Sequence, residues 1–339
     1  MAKAQRDLVV IGASAGGVAA LQKLVGALPN EFPAAILIVM HLSPHSAGLL
    51  PEILNQAGAL PASNARHGEP IENGRIYVAP PNKHLLAGAD RKIRIGHGPK
   101  ENRFRPAVDP LFRSAALNYD SRTIGIVLSG GLDDGTAGLC AIKQAGGLAI
   151  VQDPADAEAS SMPRNALNHV AIDYCLTANE IGSMLPQLVR EPPAGEKRIM
   201  SDETRMEVEL AADERNRADI KKLGDPTTFT CPSCHGALLR VRDAIPTRFR
   251  CHTGHAFTAL SLEDELQDKV ENAAWSAVRT LQEHAMLLRE MSARPGITNE
   301  EASNYGERAE LALKRAQLLR ETIALVEESE ETARPTGHV

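Results

Sequence analysis

The sequence predicts an α/β fold: a doubly wound, mainly parallel sheet with helices on both faces, followed by a small zinc ribbon and a helical hairpin. Three observations carry that expectation. Strand-like and helix-like patterns alternate from residue 7 to about 190, two Cys/His pairs at metal spacing lie between 228 and 258, and two long stretches of helical apolar spacing come after them. The expected divisions are an α/β domain over 1–190, a charged linker over 191–227, a zinc-ribbon-like module over 228–258, a hairpin over 259–330 and a tail over 331–339.

The elements follow in order. "DLVVI" from Asp7 reads as a strand, and Val18, Leu21, Leu24 and Leu28 then recur at helical spacing until Pro29 closes the helix. "AILIVM" (Ala35–Met40) is a short apolar run suited to a strand buried on both faces. A helix over about 47–56 follows. "RIYVA", "KHLLAG" and "KIRI" lie close enough together to suggest a small antiparallel excursion, and "DPLFRSAALN" predicts a helix from Asp109. "TIGIVLS", "LAIVQ" and "IDYCL" are further strands with helices between them. After Val189 the chain turns charged and weakly apolar, as a linker with a solvated helix in its middle would be. Leu262, Leu266, Val270, Ala274, Val278, Leu281, Ala285 and Leu288 line one face of the first late helix. Tyr305, Ala309, Ala312, Ala316, Leu319, Ile323 and Val326 line one face of the second.

Composition sets limits on function. Apolar residues make up 43% and charged residues 24%, as in ordinary globular proteins, and the net charge of −6 offers no global field for nucleic acid or an anionic membrane. No apolar run approaches the roughly 20 residues of a membrane span. Lys3, Arg6 and an Ala13-Ser14-Ala15 sequence imitate a secretory signal, but Asp7 and three glycines interrupt it, and the same stretch makes a better first strand and turn. Of five cysteines, three sit in metal-like spacing and Cys140 and Cys175 read as isolated buried thiols. That usage points to a cytoplasmic protein.

The loop "GASAGG" after the first strand decides the chemistry. A dinucleotide fingerprint would need glycine where Ser14 stands, and no lysine follows in P-loop position. Gly12-x-Ser14-x-Gly16 instead suits a sharp strand-to-helix turn that projects a serine above the sheet edge. The C-terminal ends of parallel strands share one edge. His41 ends the "AILIVM" strand there, and Asp133 and Asp134 follow "TIGIVLSGGL". A serine, a histidine and an aspartate from three strand ends are what Ser-His-Asp chemistry needs. Taken singly each has a plainer reading: His41 as a strand cap, Asp133 or Asp134 as turn residues before Gly135, and His45, His67, His84, His97 and His169 as rival bases.

At these motifs the first 190 residues resemble the catalytic domain of the chemotaxis protein-glutamate methylesterases, the CheB family. "VVIGASAGG" is similar to its serine loop, "IVMHLSPH" to its histidine segment and "LSGGLDDG" to its aspartate loop. "GRIYVAPPNKHL", "RPAVDPLFRSAA" and "QDPADAEASSMPRNAL" match supporting segments in the same order. The resemblance implies Ser14 as nucleophile, His41 as base and acid, Asp134 as the residue orienting it, and the N–H groups of Gly131 and Ala15 as oxyanion donors. The Gly131 loop departs from the family's usual Thr-Gly-Met-Gly, and Ala15 replaces its usual threonine. It further implies hydrolysis of glutamyl methyl esters on methylated chemoreceptor helices, with deamidation of glutamine as a related activity and no catalytic cofactor. Full family members carry a phosphoryl-accepting receiver domain first; with the esterase strand beginning at Asp7, the expectation is control by a separate regulatory protein.

Cys231-x2-Cys234 and Cys251-x3-His255 have the spacing of a structural zinc site, with His252 and His235 as alternative fourth ligands. Arg240, Arg242, Arg248 and Arg250 lie between the pairs, but Phe229, Phe249 and Phe257 read as a small core rather than a base-stacking surface, and Trp275 as a packing residue. The expectation is no nucleic-acid partner, no membrane insertion, and a module that the polar linker couples only weakly to the esterase. The rival readings are an interaction protein working through the zinc and helical region, and an esterase acting on a protein outside chemotaxis.

Overall fold

A computed structural model of the chain describes residues 5–193, 200–214, 217–242 and 244–333, the side chains of 217–218 and 326–333 excepted. The chain forms two compact units, Met1–Leu262 and Glu263–Val339.

The first unit is built on β1 (Leu8–Ala13), β2 (Ala35–Met40), β3 (Ala62–Asn64), β4 (Ile76–Val78), β7 (Thr123–Val127), β8 (Leu148–Gln152) and β9 (Tyr174–Leu176). They form one parallel sheet in the order β3-β4-β2-β1-β7-β8-β9. All of β1 and β2 is buried, which is why their sequences are continuous apolar runs without alternation. Helices α1 (Gly17–Gly26), α2 (Leu50–Ala57) and α6 (Ala178–Leu188) cover one face, and α3 (Val108–Tyr119), α4 (Thr136–Gln144) and α5 (Ser161–His169) the other. Alternate residues of β1 therefore feed two cores. Val9 and Ile11 pack with Leu21, Leu24 and Ile181, while Leu8 and Val10 pack with Leu111, Phe112 and Leu139. The strand order reverses at β1 and β7, where the chain leaves β1 toward one edge and β7 toward the other. This is the switch point at which open α/β sheets open a crevice. Of the expected excursion only β5 (His84–Ala87) and β6 (Ile93–Gly96) pair antiparallel; "RIYVA" instead supplies β4, which lies parallel between β3 and β2 in the main sheet.

The region expected as a linker differs from its reading. Residues 194–199 and 215–216 of it lie outside the described residues. Its helix α7 (Asp202–Ala211) is not solvated: Met206, Glu207, Val208, Leu210 and Ala211 are buried, and Val208 and Ala211 pack on Leu86. A four-stranded antiparallel sheet follows, β10 (Gly224–Thr230), β11 (Ala237–Val241), β12 (Arg248–Cys251) and β13 (Ala256–Thr258). Leu238, Phe249, Phe257, Leu262, Cys231 and Cys251 form its core, whereas Phe229 is exposed and makes a T-shaped ring contact with Phe249.

This module does not hang on a loose tether. Glu101 before α3, Arg113 on α3, Glu207 on α7, and Arg248 and Arg250 on β12 form one buried ionic cluster. Arg250 Nη2 lies 3.0 Å from Glu101 and 2.8 Å from Glu207, and Arg248 holds Glu207 through both oxygens. The expected weak coupling is thus replaced by a fused unit, because charges read as solvated have partners far away in sequence. Arg248 and Arg250 are consumed internally and Arg242 pairs with Asp225, while Arg240 is exposed beside the Phe249 ring.

The second unit pairs most of α8 (Ala259–Ser292) with α9 (Asn299–Ala333), starting where the hairpin was expected and running three residues past its expected end. Ala285 and Leu288 pack against Ala309 and Ala312, and Val278 against Ala316 and Ile323, so the helices run antiparallel. Leu266, Val270 and Trp275 are exposed, contrary to their reading as packing residues. The Val326 side chain lies outside the described residues. Cys140 is half-buried and Cys175 exposed, the latter because β9 is an edge strand covered on one side only. No described helix is long and apolar enough to cross a membrane.

Candidate active site and metal centre

Three strand ends meet at the switch point. Ser14 follows β1, where its N–H bonds Ser129 O at 2.9 Å and its carbonyl accepts from Gly17 N–H at 2.8 Å, which fixes the turn into α1. Gly130 lies beside it; a Cβ there would stand 2.9 Å from Ser14 Cβ and 2.0 Å from Met162 Sδ, so only glycine lets the β7 loop pass. His41 ends β2, its ring nearly buried and stacked on Phe104 with centroids 3.7 Å apart and planes 8° from parallel. His41 Nδ1 is 3.2 Å from Ser14 Oγ, and Nε2 is 2.8 Å from Asp134 Oδ2. The ring thus presents Nδ1 to the serine and Nε2 to the carboxylate.

Asp134 is the best-supported group of the three. Its Oδ2 also accepts Val108 N–H at 2.7 Å, and its Oδ1 accepts Asn102 Nδ2 at 2.9 Å, Gly135 N–H at 3.0 Å and Asp109 N–H at 3.2 Å. Two of these donors are free N–H groups of the first turn of α3. Gly12 admits that helix end, since a Cβ on it would lie 2.3 Å from Val108 Cγ1. Burial works to raise the Asp134 carboxyl, but the bond and charge of His41, with the Val108 and Asn102 donors, hold it below the usual carboxylate range. Its buried neighbours go the other way. Asp109 is pushed up to about 7 by burial and the charge of Asp134. Asp133 is pushed up to about 6 by burial, against the bond from Thr258. Only one aspartate of the pair touches histidine, and it is Asp134; Asp133 Oδ1 accepts Thr258 Oγ1 at 2.7 Å.

Among the described residues, the N–H groups of Ala15 and Gly131 have no acceptor within the protein, whereas Gly130 N–H is spent on Ala159 O. A cavity of about 310 Å³ opens over Ser14 and His41, walled by Leu42, Phe104 and the cationic Lys100, Arg103 and Arg105. Three of the rival histidines are engaged elsewhere, and none of the five lines the cavity. His84 is sealed between Pro99 O and Ala107 N–H, and His67 and His169 bond backbone groups at Ile95 and Asn165. Asn102 and Phe104 escaped the sequence reading; both sit in "KENRFRP", whose alternation of polar, charged and lone aromatic residues carries no motif.

In the β10–β13 module the ligating atoms of Cys231, Cys234, Cys251 and His255 lie within 4.8 Å of one another. His255 Nδ1 is 3.8 Å from Cys231 Sγ and 3.6 Å from Cys251 Sγ, and Cys234 Sγ is 3.5 Å from Cys251 Sγ. Tetrahedral zinc, with Zn–S of about 2.3 Å and Zn–N of about 2.0–2.1 Å, requires such separations of roughly 3.5–3.8 Å. The donor set fits zinc. His252 is exposed and neither it nor His235 joins the group.

A buried carboxylate, an imidazole and a serine aligned at the switch point of a parallel sheet are the arrangement of an α/β serine hydrolase. The comparisons narrow that class. The CheB methylesterase family profile matches residues 9–185, and the chain belongs to that family. A Leptospira interrogans protein assigned as a protein-glutamate methylesterase/protein-glutamine glutaminase is 39% identical over 182 residues, 54% of this chain and 94% of that protein. Protein-glutamate methylesterase/protein-glutamine glutaminase 2 of Anaeromyxobacter dehalogenans is 40% identical over 187 residues, 55% of this chain but only 54% of that one. The crystal structure of the Thermotoga maritima CheB methylesterase catalytic domain superposes over its whole length and 55% of this chain, at 34% identity and a TM-score of 0.53.

Proposed function

We propose that this chain is a protein-glutamate methylesterase acting on methylated chemoreceptor-type proteins in the cytoplasm, and that Ser14, His41 and Asp134 perform the reaction. The observation that carries the reading is the continuous Ser14–His41–Asp134 hydrogen-bond relay at the mouth of the cavity. His41 Nε2–H donates to Asp134, which leaves Nδ1 to accept the Ser14 proton as Oγ attacks the ester carbonyl carbon. The Ala15 and Gly131 N–H groups are the available donors for the developing oxyanion. The proton on Nδ1 then passes to the departing methoxide, methanol leaves, and water activated at the same nitrogen cleaves the acyl-enzyme. A glutamine side chain would follow the same course with ammonia leaving. The cationic cavity wall suits a substrate segment rich in carboxylates.

The Cys231, Cys234, Cys251 and His255 group is read as a structural zinc site, since four protein ligands leave no open position for a reacting water. The deciding experiment for the esterase reading is methanol release from methylated receptor by the purified chain. Ser14→Ala should abolish it while preserving the fold, and a serine-directed organophosphonate should label the wild type alone. Labelling that persists in Ser14→Ala would refute the assignment.

A further inference from the structure

The loop 100–105 joins the esterase site to the C-terminal module. Asn102 and Arg103 both hold left-handed backbone, at φ 48° and 75°, a conformation that non-glycine residues adopt at a cost and keep only when their surroundings enforce it. The enforcement comes from β13. Asn102 N–H donates to Ala256 O at 2.8 Å and Ala256 N–H to Lys100 O at 3.2 Å. The same loop carries Phe104, the ring stacked on His41.

The Asn102 side chain is buried and uses its full capacity. An amide offers two donor hydrogens and two acceptor lone pairs. Nδ2 donates to Asp134 Oδ1 at 2.9 Å and to Asp109 Oδ2 at 3.0 Å. Oδ1 accepts from Thr258 N–H at 3.0 Å and Ser261 Oγ at 3.2 Å. One end of the amide therefore faces the carboxylates of the site and the other faces the turn that starts α8. That turn is itself closed, with Ser261 N–H donating to Thr258 Oγ1 at 3.0 Å and Thr258 Oγ1 donating to Asp133.

We infer that the C-terminal module is a working part of the esterase site: the Thr258–Ser261 turn, through Asn102, positions Asp134 for its bond to His41. Asn102 is a positioning residue, and Ser261 acts through it from 159 positions away in sequence. With the turn in place the amide can point only its donors at the two carboxylates. Without it the amide is held at one end, and the left-handed loop that also carries Phe104 loses its anchor.

The inference rests on the esterase reading, and its test separates the two. Full-length wild type, Asn102→Ala, Ser261→Ala, Thr258→Val and Thr258→Ser are compared on a small glutamyl methyl ester and by proton NMR of the His41–Asp134 hydrogen bond. Asn102→Ala should lower kcat about 10- to 100-fold with KM within about twofold, the scale of losing a supporting partner. Ser261→Ala should lower kcat roughly 3- to 10-fold, as for one hydrogen bond. Thr258→Val, which keeps the backbone N–H to Asn102 but loses the hydroxyl that accepts Ser261 N–H, should follow Ser261→Ala, and Thr258→Ser, which keeps the hydroxyl, should recover. The low-field resonance of the His41–Asp134 proton should shift or broaden in each impaired variant. Folded Asn102→Ala and Ser261→Ala chains with wild-type kcat and an unchanged resonance would overturn the inference, as would losses confined to KM. A wild type that releases no methanol would instead refute the esterase reading, and the resonance would still decide whether the module holds Asp134.

Discussion

Asp133 and Asp134 are adjacent, identical in chemistry and both buried, yet their surroundings assign them opposite tasks. Asp134 meets His41 and four other donors; Asp133 meets Thr258. Asp134→Asn should lower kcat by on the order of 10³–10⁴, because an amide cannot support the imidazolium that forms in turnover. Asp133→Asn keeps an acceptor for Thr258 and should lower kcat far less; equal losses from the two would contradict the assignment. Asp133 also predicts a pH effect. Its carboxyl rises from an ordinary 3.8 to about 6 on folding, so the folded state holds a proton that the unfolded state releases. Its contribution is fully present below about pH 4 and drains away as pH rises through about 6. Asp133→Asn should therefore gain stability relative to wild type between pH 4 and 6.5 and hold that gain above, as thermal melts across the range will show.

Among the elements, the apolar strands were the most legible. "LVVIGA" and "AILIVM" are buried on both faces, and continuous hydrophobicity is the only pattern such strands can have. Ser14, His41 and the Asp133–Asp134 pair could be placed because residues that follow parallel strands must share an edge. Helix α7 was misread for a physical reason. Glu207 looks solvated among its charged neighbours, and nothing local reveals that Arg113, Arg248 and Arg250 converge on it. Burial opposes its charge, but those three guanidiniums hold its carboxyl well below the usual range. Glu207→Gln should cost about 3–5 kcal/mol by leaving buried guanidiniums without their counter-charge. Urea unfolding of the full chain measures it, and a loss under 1 kcal/mol would mean that the cluster is not a structural joint.

For the molecule as a whole, the ionic cluster and the Asn102 bridge bind the β10–β13 module to the esterase core within one unit. The module's own core is small, so a metal held by its Cys/His group would add to the support it takes from the rest of the unit. The purified chain should contain one zinc. Chelation, or Cys231→Ser, should lower the melting temperature and ester turnover together, and zinc should restore both after chelation. Full turnover in a chain shown by metal analysis to be zinc-free would refute that dependence. Spacing singled out Cys231, Cys234 and Cys251 but left the fourth ligand open among His255, His252 and His235, and it gave no sign of the docking, because Asn102 and Thr258 are 156 residues apart and no periodicity spans such a gap.

That separation has a consequence for how the enzyme comes into being. A ribosome delivers Ser14, His41 and Asp134 early, and the sheet that carries them can close while later residues are still being joined. The turn at Thr258 and Ser261 arrives only after the whole module has been made. On the proposed role of Asn102, a nascent chain holds Ser14, His41 and Asp134 well before it holds the support for Asp134, and its ester turnover should stay about 10- to 100-fold below that of the finished chain until synthesis has passed Leu262. Birth order would thereby keep an unfinished esterase slow.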